Sequence, residues 1–123
     1  SKPEKTAPMS SNYTRIPALS AIEFVKQDGL PYEAWAVQRV DGVDTPFDLS
    51  AYTALFRVLS KSGAVVYDSE DVTMDDEGHI VHTITPEAVA GWELCPDRYF
   101  LQVFPPSGNP LTLFSGPFRA IEV

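Results

Sequence analysis

The stretch Phe47-Asp48-Leu49-Ser50-Ala51-Tyr52-Thr53-Ala54-Leu55-Phe56-Arg57-Val58 decides the fold class. Within it Tyr52, Ala54, Phe56 and Val58 are all apolar, whereas Thr53, Leu55, Arg57 and Leu59 are mixed. Successive side chains of a strand point to opposite faces, so this pattern predicts a strand with one face on a core.

The same grammar continues on both sides. Downstream, Ser62-Gly63 turns the chain into Val65-Val66-Tyr67, and Val72 to Met74 precedes the acidic turn Asp75-Asp76-Glu77-Gly78. Ile80, His82 and Ile84 are spaced two apart, interleaved with Val81 and Thr83. Tyr99, Leu101 and Val103 alternate with Phe100, Gln102 and Phe104 before the run Pro105-Pro106-Ser107-Gly108-Asn109-Pro110. Leu111 to Val123 forms the last stretch, broken at Ser115-Gly116-Pro117. Upstream, Ile22 and Phe24 lead to Asp28-Gly29. Tyr32 to Val40 then reads as one strand ending at Asp41-Gly42, with Trp35 filling the core and carbohydrate stacking as its lesser reading. Seven or eight short strands separated by frequent turns predict an all-β, antiparallel sandwich. The one helical candidate is Pro86 to Trp92: Thr85 or Thr83 caps it, Pro86 suits its first turn, and Gly91 stops it.

Composition agrees with this. A chain of 123 residues that is 44% hydrophobic and 11% aromatic has material for one core and one domain. Its eleven prolines and seven glycines are scattered, which suits short strands and argues against long helices. Cys95 is the single cysteine, so no disulfide forms within the chain. It reads as a half-buried small apolar residue, and a lone thiol fits synthesis in a reducing cytoplasm. No apolar run has the length needed to cross a bilayer, and no membrane partner is expected.

Charge is unevenly distributed. Residues 1–18 hold Lys2, Lys5 and Arg15 against Glu4, a balance of +2, which leaves −10 for residues 19–123 of a chain whose net charge is −8. A basic N-terminal arm is thus joined to an acidic body. An acidic body points away from nucleic acid, whose binding depends on neutralising phosphates with Lys and Arg. The arm has three prolines, no periodicity and many small polar residues, so it is expected to reach a neighbouring subunit rather than to fold alone.

In order, the Phe47–Val58 stretch, the turn Lys61-Ser62-Gly63, the hairpin Glu77-Gly78-His79-Ile80, the connection Thr85-Pro86-Glu87, the strand opening Pro96-Asp97-Arg98-Tyr99 and the closing Phe114-Ser115-Gly116-Pro117-Phe118-Arg119-Ala120-Ile121-Glu122-Val123 resemble the immunoglobulin-like N-terminal domain of phage baseplate upper proteins. Related small domains recur in phage tail, baseplate and other virion proteins. The resemblance covers residues 19–123 and departs at Asp97, where the family tends to place a glycine. It implies an immunoglobulin-like sandwich at 19–123 behind the arm at 1–18. By the same resemblance the chain is a structural accessory or adaptor subunit of a bacteriophage virion, in tail, baseplate, neck or capsid surface. Its partners would be other virion proteins and copies of itself in a symmetric assembly, after synthesis in the host cytoplasm. The arm residues expected to dock are Lys2, Lys5, Tyr13, Arg15 and Ile16.

Other candidate sites read as structural. His79 and His82 are three apart on a strand, so they face opposite sides and cannot share a metal; both are expected on solvent or hairpin faces. Asp68, Glu70, Asp71, Asp75, Asp76 and Glu77 lack the ligand spacing of a calcium loop and read as an acidic patch able to receive a basic partner. Trp92 is expected to plug one end of the sandwich. The Tyr99 hydroxyl is expected to bond nearby backbone, as in a tyrosine corner. No nucleophilic triad, phosphate-cradling loop or pair of acids at catalytic spacing is present, so no catalysis, metal or cofactor is expected. The alternative is a carbohydrate-binding sandwich, which needs outward aromatics among Tyr32, Tyr52, Tyr67 and Trp92.

Overall fold

The computed structural model describes residues 18–122. In chain order these form β1 (Ala18–Leu19), β2 (Ile22–Val25), a 3-10 turn (Lys26–Asp28), β3 (Leu30–Trp35), β4 (Val37–Val40), β5 (Val43–Pro46), β6 (Thr53–Leu59), β7 (Val65–Ser69), β8 (Thr73–Met74), β9 (His79–Ile84), α1 (Pro86–Ala90), β10 (Arg98–Phe104) and β11 (Leu111–Ile121). One sheet has the order β1-β11-β10-β6-β7, with β2 continuing the β1 edge beside β11. A second sheet has the order β3-β9-β8, and β4 and β5 form a separate two-stranded ribbon. Taking β1 and β2 as one interrupted edge strand, and setting the ribbon aside, eight strands make the sandwich. The first edge runs parallel to the last strand while the other sheet pairings are antiparallel. This is the all-β sandwich that the sequence predicts, with one departure from the expected antiparallel pairing at its first edge.

The core follows from strand alternation. Ala54, Phe56 and Val58 of β6, Leu101 and Val103 of β10, and Ile80 and Ile84 of β9 are almost wholly removed from water. Phe56 stacks on Tyr99 at 5.5 Å and meets Tyr32 of the opposite sheet edge-on at 5.2 Å. Phe118 is held against Phe24 at 5.5 Å, which joins the last strand to the first edge. Truncating a ring such as Phe56 to alanine would cost about 3–5 kcal/mol through lost burial and the cavity left behind. The predicted helix is a single turn whose start is fixed by Thr85, the side chain accepting from the Ala88 N–H at 3.1 Å, with Pro86 behind it and Gly91 at its end.

Several expectations need correction. Tyr32 to Val40 is not one strand, because the chain breaks at Ala36 into β3 and β4. Trp35 does not fill the core: it is 59% exposed, since Tyr32 and Ala36 take the inward positions and Trp35 has the opposite parity. His82 is buried rather than solvent-facing, in phase with Ile80 and Ile84. Cys95 is exposed rather than half-buried. The Tyr99 hydroxyl donates not to nearby backbone but to the carbonyl of Ser20 at 2.7 Å, fastening the first edge to β10.

Candidate functional site

The features least explained by packing gather at the end of the sandwich where β6 begins. There the Ala36 N–H donates to the Gly78 carbonyl at 2.8 Å, and the Phe47 N–H donates to the Ala36 carbonyl at 3.1 Å. Ala36 is pinned by these two bonds, and the chain between them is extruded as the β4–β5 ribbon. Asp41 (φ 53°) and Gly42 (φ 80°) close the ribbon in the left-handed region, the geometry of a two-residue hairpin turn. Gly78, at φ 80°, has no room for a side chain, because a Cβ there would lie 2.2 Å from the Ala36 carbonyl oxygen.

The ribbon buries no apolar face. Val37, Val40 and Val43 are 52%, 46% and 62% exposed. By register Val37 lies opposite Pro46 and Val40 opposite Val43, on alternate faces, so both faces of the ribbon present apolar groups. A cross-strand ion pair, Arg39 with Asp44 at 3.1 Å, and a bond from Arg39 to the Gly42 carbonyl at 2.9 Å hold the hairpin from its own surface. An isolated two-stranded hairpin is marginal in water, and contiguous exposed apolar groups commonly mark an interface.

Trp35 stands at the base of the ribbon. Its indole stacks on the His79 imidazole at 4.7 Å with 17° between planes. That imidazole is held in turn by Glu33, whose carboxylate accepts from Nε2 at 2.6 Å, and it has Asp75 3.9 Å from Nδ1. The Asp75 carboxylate also accepts the Glu77 and His79 backbone N–H groups at 2.9 and 3.0 Å, which hold its carboxyl below the usual range. One face of Trp35 is thereby covered, and its exposure leaves the rest as a flat aromatic surface beside the imidazole held by the exposed carboxylates of Glu33 and Asp75; Asp76 and Glu77 follow in the same turn and are exposed as well.

The six acids divide into two groups. Asp68, Glu70 and Asp71 lie on β7 and the link after it, with Asp68 paired to Arg57 at 3.2 Å. Asp75, Asp76 and Glu77 make the turn between β8 and β9, next to Trp35. Among the described residues, no three His, Cys, Asp or Glu side chains are grouped so as to hold a metal ion. His82 is tied into the body: Nδ1 donates to the Asp71 carbonyl at 2.7 Å, which leaves Nε2 to accept from the Tyr67 hydroxyl at 2.8 Å. Trp92 packs on Tyr67 at 5.7 Å and Phe118 at 5.9 Å and is half-buried. Of the four aromatics a glycan would need, Tyr32 is buried and Tyr52, Tyr67 and Trp92 are half-buried. A shallow open cleft of about 530 Å³ lies between Asp97–Phe100 and Ser115–Pro117. Its acid and base, Asp97 and Arg98, are engaged with each other at 3.4 Å.

No family model matches the chain, nor does any curated protein. Lys2, Lys5, Tyr13, Arg15 and Ile16 lie outside the described residues. The sequence does not single out the ribbon valines, and its first reading of Trp35 as a core residue fails although a signal against it exists. Trp35 is three residues from Tyr32, so the two cannot share a face of an unbroken strand.

Proposed function

We propose that this chain acts by binding protein rather than by catalysis, as an accessory or adaptor subunit of a bacteriophage virion in the tail, baseplate, neck or capsid surface. The observation that carries the binding reading is the uncovered apolar end formed by Trp35, Val37, Val40 and Val43, four of the six large hydrophobic residues that stand exposed among the described residues. The phage assignment rests on the resemblance of residues 19–123 to baseplate domains. The basic arm docks on neighbouring subunits through Lys2, Lys5, Tyr13, Arg15 and Ile16, adding contact area that symmetric assembly multiplies into avidity. Deleting residues 1–18 is expected to leave a folded body that no longer joins particles. Normal incorporation of the truncated chain would remove the arm from the account.

A second reading, glycan binding, is favoured by one observation: Trp35 offers a flat exposed ring beside Glu33, an arrangement that sugars can stack upon. The ribbon valines argue for protein instead, because a glycan gains little from exposed aliphatic groups. A glycan that quenches tryptophan fluorescence in the wild type but not in Trp35→Ala would favour the second reading.

A further inference from the structure

The first edge strand and the uncovered end are related by the topology. β1 runs parallel to β11 with Ala18 opposite Phe114, so its N-terminal side is the side of Leu111, which pairs with Val103, which pairs with Ala54 at the start of β6. Just before β6, the Tyr52 N–H bonds the Leu49 carbonyl at 3.0 Å and the Leu49 N–H bonds the Asp75 carbonyl at 3.1 Å. β1 thus enters its sheet from the side of the end that carries Trp35, the ribbon and the acidic turn. A molecule with a basic arm and an acidic, aromatic surface at one end is self-complementary when two copies meet end to end, the condition for an isologous dimer.

We infer that the end of the sandwich that carries Trp35, one face of the β4–β5 ribbon and the turn with Asp76 and Glu77 receives the N-terminal arm of a second copy of this chain, in a reciprocal exchange. The inference rests on the proposed role of the arm and names what it docks on. Charge matches: Lys2, Lys5 and Arg15 face a body that carries −10. The chemistry matches too, since an exposed indole attracts Lys, Arg and proline rings, and the arm holds Pro3, Pro8 and Pro17 among its bases. Reach is sufficient. Residues 1–17 extend at most about 55–60 Å, more than the roughly 30–35 Å breadth of a domain this size. Ile16 precedes Pro17, which biases it to an extended backbone, the form in which the arm has its full reach. Acidic bodies alone would repel each other; the arms supply the opposite charge.

The test is the mass of the full chain in solution by light scattering, at about 0.1 mM, where a micromolar dimer is nearly complete. The wild type is expected to be a dimer that weakens as salt rises. Trp35→Ala, with unchanged circular dichroism, is expected to weaken it about 30-fold, as loss of an interface tryptophan does. Reversing the turn with Asp76→Lys and Glu77→Lys should weaken it as well. Adding Lys2→Glu, Lys5→Glu and Arg15→Glu to that variant should restore it. A monomeric wild type, or a dimer indifferent to Trp35→Ala, overturns the exchange. A monomeric wild type whose arm is still required in particles would leave the proposed function standing. Normal incorporation without the arm would end that reading whatever the mass.

Discussion

Gly78 and Gly42 share a backbone conformation, φ 80° in each, but not an environment. A Cβ at Gly42 would meet nothing within 4 Å, whereas at Gly78 it would lie 2.2 Å from the Ala36 carbonyl oxygen and 3.1 Å from that of Phe47. Both neighbours are backbone and cannot swing aside. Gly42→Ala should therefore cost only the left-handed penalty, about 1–2 kcal/mol, less a few tenths regained from a stiffer unfolded chain. Gly78→Ala adds crowding of about 1–3 kcal/mol and loss of the Ala36–Gly78 hydrogen bond, about 1 kcal/mol more. The two variants should differ by about 3 kcal/mol. At a urea slope of about 2 kcal/mol/M, that separates their unfolding midpoints by roughly 1.5 M. Chemical denaturation followed by circular dichroism reads the difference directly. Equal midpoints would refute the claim that Gly78 is where the ribbon and the Trp35 platform are fastened to the sandwich.

Two further outcomes follow from buried hydroxyls. Tyr99→Phe keeps the stacked ring but removes the donor to the Ser20 carbonyl, so it should cost about 1 kcal/mol and speed amide exchange at Ser20; unchanged exchange there would mean the bond does not hold the edge. Tyr32, Tyr67 and Tyr99 all have their ionisation raised, chiefly by burial. A raised value means the fold favours the protonated phenol, so this stability is complete below the unfolded value of about 10 and is lost as pH rises above it. Tyrosinate absorbance should then appear together with loss of near-ultraviolet circular dichroism. Full, reversible ionisation of every tyrosine with the fold intact would contradict that.

What the sequence makes legible is whatever one period decides. The Phe47–Val58 stretch gives β6 and its inward face, Asp41-Gly42 gives a hairpin turn, and Thr85 gives the cap of α1. Trp35 is misread because size outweighs parity: between Tyr32 and Val40 both phases carry apolar residues, and only the long-range bonds of Ala36 to Gly78 and Phe47 select one. His82 was legible in principle, since it shares the phase of Ile80 and Ile84. Its acceptability in the core depends on Tyr67 and the Asp71 carbonyl, partners brought in by folding. The Tyr99–Ser20 bond spans 79 residues and has no local signature at all. The uncovered end is likewise a tertiary property, because a valine's exposure depends on what the sandwich leaves beside it.

The central claim is that this chain is a binding subunit whose arm fixes it to its neighbours in a phage particle. Its most direct test counts copies of the full chain and of the chain lacking residues 1–18 in gradient-purified particles by quantitative mass spectrometry. The account predicts a constant, multiple copy number for the full chain and near-complete loss of the truncated one, which stays soluble and folded. Equal copy numbers, or absence of the full chain from purified particles, would contradict it.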